Sequence, residues 1–68
     1  MATFYHTINA RGNEHFRIEI NDVAARNRLQ ARYERGDEIQ ARAGTAQERA
    51  RGRAIMRAAV RDARKIGY

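Results

Sequence analysis

The chain has 68 residues, enough for one small domain, and no cysteine, so neither a disulfide nor a thiolate metal site can support it. Its formal net charge is +6, and 13 of its 14 basic residues are arginine. That balance favours an anionic partner, and the guanidinium fork suits phosphate or carboxylate better than an ammonium does. No apolar run approaches the roughly 20 residues of a membrane span.

Residues 3–9 (TFYHTIN) and 14–20 (EHFRIEI) both alternate. Phe4, His6 and Ile8 share one face of the first segment; Phe16, Ile18 and Ile20 share one face of the second. The residues Ala10-Arg11-Gly12-Asn13 form a turn sequence. A three-residue loop, Arg11 to Asn13, would pair Ile8 with Phe16, His6 with Ile18 and Phe4 with Ile20. This predicts an antiparallel β-hairpin over 3–20. Its outer face would carry Tyr5, Thr7, Arg17 and Glu19, with His15 near the turn.

Asn21-Asp22 follows at once and supplies a helix N-cap. Ala25, Leu29, Tyr33, Gly36, Ile39 and Ala43 then form a continuous stripe, predicting a helix over 22–43. Gly36 lies on that stripe, where a missing side chain permits close approach of another helix, so the helix is read as continuous through it. Gly44 fits a C′ position, and Thr45-Ala-Gln-Glu48 is a capping box. A second helix over 46–65 follows, with Gly52, Ile55, Met56, Ala59, Val60, Ala63 and Ile66 on its apolar side. The expected fold is one α+β domain over residues 1–68, an N-terminal antiparallel β-hairpin followed by an antiparallel helical hairpin (ββαα).

The candidate site is a row of arginines. Arg49, Arg53, Arg57 and Arg61 recur every fourth residue, which groups them on one edge of a helix, and Arg64 extends the flank. None of the four has an Asp or Glu three or four residues away, and each has another arginine there. Like charges at that spacing cost a few tenths of a kcal/mol per pair. The plainer alternative is a solvated face whose aliphatic stems cover apolar surface. The first helix carries a second basic edge, Arg28, Arg32, Arg35 and Arg42, opposite Glu34, Asp37 and Glu38. Ordinary i,i+4 pairing of Asp22 with Arg26 and of Glu38 with Arg42 is the alternative there. On the hairpin, Tyr5 and Arg17 could stack on bases. Arg51-Gly52-Arg53 resembles the core of an AT-hook but lacks the following proline.

Catalysis finds little support. There is no Ser or Cys nucleophile and no Gly-rich phosphate loop, and two His nine apart make no recognised metal site. The expectation is a protein that is not an enzyme and carries no cofactor or metal. The opening MATFYHTINARG lacks the pattern of a signal peptide, so the expected location is cytoplasmic, that of a host if the chain is phage-encoded.

Residues 16–64 resemble a ribbon-helix-helix DNA-binding domain: a strand FRIEI, a helix after Asn21, a turn, and a second helix opened by Thr45. That resemblance implies a dimer whose strands pair and enter the major groove, with Arg17 and Glu19 at the reading positions. The layout of the whole chain is similar to small phage proteins of the anti-CRISPR type, in MATFYHTI, NARGNE, HFRIEI and NDVAARNRL. This second resemblance implies a stoichiometric inhibitor of host nucleic-acid machinery, bound to a protein or nucleoprotein complex with an anionic surface. DNA, RNA and a second copy of the chain are further candidate partners.

Overall fold

The computed structural model describes residues 1–8 and 14–67. The side chains of residues 7, 8, 14 and 15 are not among those described. The elements follow in the order ββαα: β1 (Ala2–Ile8), β2 (Glu14–Ile20), α1 (Val23–Arg42) and α2 (Ala46–Ile66). The fold is α+β, a two-stranded antiparallel sheet followed by two helices.

The hairpin's register differs from the predicted one by two residues. Phe4 faces Ile18 and His6 faces Phe16, with Ile8 opposite Glu14. The predicted three-residue loop lies outside the described residues, but the Ile8–Glu14 pairing excludes its register. Because the side-chain period is two, the shift preserves the faces. The observed register stacks His6 on Phe16 at 5.6 Å between ring centroids. It also places Thr3 opposite Glu19, where the Thr3 hydroxyl lies 3.0–3.1 Å from both carboxylate oxygens.

Phe4 and Ile20 are fully buried and anchor a core with Ile18, Leu29, Tyr33, Ala59 and Ala63. Tyr33 meets Phe4 edge-on at 5.7 Å. Met56 and Val60 pack against this cluster from α2. Ile66, predicted on the apolar side, is instead half exposed. It closes the last helical turn, and the next residue, Gly67, forms the bridge to Ile20.

α1 begins where Asp22 caps it, its carboxylate accepting the Ala25 N–H at 3.1 Å. It runs unbroken through Gly36 to Arg42. Gly44 follows the C-cap Ala43 without a left-handed φ. Thr45 opens α2: its hydroxyl accepts the Glu48 N–H at 3.2 Å and donates to the Glu48 carboxylate at 3.3 Å.

The helices cross where two glycines meet. A Cβ on Gly36 would lie 2.7 Å from the Gly52 carbonyl oxygen, and one on Gly52 would lie 2.6 Å from the Gly36 oxygen. Both obstacles are backbone, so neither can yield without parting the helices. The contact explains why α1 keeps a glycine mid-helix at a cost of about 1 kcal/mol relative to Ala.

α1 also closes the outer edge of β1. The Gln30 amide accepts the Tyr5 N–H at 2.8 Å and donates to the Tyr5 carbonyl at 3.0 Å, as a neighbouring strand would. One turn earlier, Arg26 Nε donates to the Thr3 carbonyl at 2.7 Å. A side-chain pair at i,i+4 thus replaces the missing third strand, and Gln30 is buried with both its amide groups bonded.

Candidate nucleic-acid interface

The two basic rows emerge on different sides of the helical pair. Arg26 and Gln30 face β1, so Arg28, Arg32, Arg35 and Arg42 fall on the opposite margin of α1, away from the sheet. Three of the chain's arginines on α1 have partners. Arg26 serves Thr3 and reaches Asn27, instead of the predicted pairing with Asp22. Arg32 reaches across to Asp62 of α2 at 3.4 Å, and Arg42 meets Glu38 at 3.2 Å, the i,i+4 pair anticipated from the sequence. Arg35 and Arg42 flank an open cleft of about 380 Å³, lined also by Glu38, Ile39 and Glu48. Its charges are mixed, so it offers no single-sign field.

α2 is different. Gly52, Ala59 and Ala63 are buried, while Arg49, Arg53, Arg57, Arg61 and Arg64 are all exposed. No carboxylate among the described residues lies within 4.0 Å of Arg49, Arg53 or Arg57. Arg61 departs from this: its Nε lies 3.7 Å from Asp62, which also holds Arg32. The sequence rule missed that pair because it counts only acids at i±3 and i±4, whereas Asp62 is the next residue. The row is also less linear than its spacing implies. Each four-residue step turns about 40° around the helix, so Arg49 to Arg61 sweeps about 120°. The sweep starts on the side of Met56 and Val60, which pack against the core, and ends at Arg61 on the outer edge. The uncompensated segment is therefore Arg49, Arg53 and Arg57. Arg51-Gly52-Arg53 lies within α2, with Gly52 in the helix crossing.

Arg64 acts electrostatically on His6 of the hairpin. Burial lowers the pKa of His6 below its ordinary value, and the nearby Arg64 charge lowers it further. His6 packs edge-on to Tyr33 at 6.4 Å and face-on to Phe16. Phe16 is 38% exposed. The sequence reading did not single it out; its place on the inner face of an alternating strand marked it as core. Tyr5 and Arg17 are exposed and directly opposite each other on the outer face of the sheet, although the Tyr5 backbone is bonded to Gln30 of α1. The sheet therefore separates them from the α2 row. The predicted place of the His15 side chain lies outside the described residues.

Among the described residues no three His, Cys, Asp or Glu side chains gather in a metal-binding group, and no helix is long and apolar enough to cross a membrane. No family model, curated protein or solved structure matches the chain.

Proposed function

We propose that this protein is a small non-catalytic binding module that docks the arginine flank of α2 onto an anionic surface of host nucleic-acid machinery. In this reading it is an inhibitor of the anti-CRISPR kind, encoded by a phage or other mobile element. The observation that carries the reading is the segment Arg49, Arg53 and Arg57, exposed and without a carboxylate in ion-pair reach among the described residues. Adjacent guanidinium groups on one helix repel one another. An anionic partner removes that repulsion and gains charge-assisted hydrogen bonds. The glycine crossing and the core hold α2 along its other side, which leaves the flank facing outward.

A ribbon-helix-helix regulator has less support. Its strand must pair with its twin, whereas β2 pairs with β1 from Glu14 to Ile20 and its other edge is bridged by Gly67 at Ile20.

The test is titration into purified, guide-loaded CRISPR effector complexes, with target binding as the readout. The expected result is inhibition at fixed stoichiometry, abolished by Arg53→Glu with Arg57→Glu while circular dichroism reports unchanged helicity. Tight, site-specific binding of free duplex with no effect on any effector would favour the regulator instead.

A further inference from the structure

We infer that the anionic surface met by α2 is the backbone of a single-stranded nucleic acid, with guanidinium groups on successive phosphates and Phe16 against an unpaired base. The inference rests on the docking reading above and adds the chemical class of the partner.

Three observations favour nucleic acid over an acidic protein patch. The first is what lies between the arginines. A protein interface is built around a desolvated apolar centre with large anchors. Here the large apolar residues of α2 near the row, Met56 and Val60, turn inward onto the core, and only small alanines such as Ala50 and Ala54 are exposed between the guanidinium groups. Along Arg49, Arg53 and Arg57 the attraction is Coulombic, as in a phosphate contact.

The second is spacing. Successive arginines at i,i+4 rise about 6 Å along the helix. Each step also turns about 40° around the helix, so phosphates that meet one guanidinium per step must wind with the row, as a flexible single strand can.

The third is an exposed aromatic on the hairpin. Phe16 rests one ring face on His6, with centroids 5.6 Å apart and planes 23° from parallel, and 38% of the residue remains at the surface. His6 in turn lies within the field of Arg64. An exposed aromatic ring backed by a second ring offers a face on which an unpaired base can stack. A paired base cannot reach such a ring, which selects the single strand over the duplex.

The experiment is fluorescence anisotropy of the intact protein with a short labelled DNA strand of mixed sequence, the same strand annealed as duplex, and poly-L-glutamate as competitor. The strand is expected to bind more tightly than the duplex and to resist poly-L-glutamate. Neutralising three phosphates gives log K against log salt a slope of about −2 for a single strand. Arg53→Glu with Arg57→Glu should weaken binding at least about tenfold and flatten that slope to about −0.7, one phosphate contact remaining. Phe16→Leu keeps apolar volume and loses the π face, and should weaken the strand about fivefold or more while leaving the duplex unchanged. Phe16→Tyr should retain strand binding, which separates stacking from folding. Equal or tighter binding of duplex, or a strand affinity unmoved by Phe16→Leu, overturns the inference. So does the absence of strand binding. If the strand is not bound and the double substitution still abolishes effector inhibition, the flank serves an acidic protein surface and the docking reading survives. If effector inhibition is also untouched, both fall.

Discussion

The two helices carry the same residue type to opposite ends. On α1, three arginines are engaged: Arg26 closes the β1 edge, Arg32 ties the helices through Asp62, and Arg42 pairs with Glu38 at the surface, while Arg28 and Arg35 meet no carboxylate among the described residues. On α2, Arg49, Arg53 and Arg57 meet no carboxylate among the described residues. The difference follows from where acids and carbonyls sit. α1 carries Glu34, Asp37 and Glu38 and runs past an open strand edge, whereas α2 has only Glu48 near its start and Asp62 near its end. Asp62 is shared by Arg32 and Arg61, so nothing is left for the middle of the row. An arginine is structural or available according to its neighbours, and composition does not distinguish the two.

The comparison breaks most severely at the glycine crossing, since both helices depend on it. Gly52→Ala drives a Cβ against the Gly36 carbonyl and the Gln40 backbone nitrogen. The expected loss is about 1–3 kcal/mol or more, read as a lower urea midpoint, even after the gain in helix propensity. Unchanged stability would mean that the helices do not pack this closely.

Gln30→Leu probes the inward-facing polar side of α1. It strands the Tyr5 N–H and carbonyl beneath an apolar side chain. The predicted cost is about 1–3 kcal/mol, and amide exchange at Tyr5 should accelerate.

His6 gives the comparison a pH dependence. Its pKa is lowered in the fold, first by burial and then by Arg64, so folding favours the neutral imidazole. Stability is therefore full above the ordinary value of about 6.5 and falls as pH drops below it towards the folded pKa. His6→Phe should flatten this part of the profile of midpoint against pH.

Arg32→Ala removes a partly exposed ion pair and should cost no more than about 1 kcal/mol. Arg57→Glu is expected to change least and in the opposite direction. It turns two repulsive i,i+4 contacts, with Arg53 and Arg61, into attractive ones, for a gain of a few tenths of a kcal/mol in thermal unfolding. A loss there would show that Arg57 already has a role within the fold.

Much of this was legible in the chain. Alternation in TFYHTIN and EHFRIEI marked the strands and their inner faces, and the ββαα order followed from Asp22, Gly44 and Thr45. Local signals of this kind survive because capping and periodicity are properties of consecutive residues. The strand register was not legible, because a shift of two leaves the same side chains on the same face. Nor was the role of Gln30, whose partner is 25 residues away. Within the site, the spacing exposed the row, but the bond of Arg32 to Asp62 and the stacking of His6 on Phe16 depended on which elements came together.

The sequence alone determined the element order, the helix ends and the excess of positive charge on the second helix, since each rests on neighbours within one or two helical turns. Only the tertiary structure decided which guanidinium groups remain available, because an ion pair or a carbonyl contact depends on distance in space. The same holds for the glycine crossing: sequence placed both residues on apolar stripes, but that Gly36 and Gly52 meet each other is a consequence of how two helices of nearly equal length fold back on one short turn.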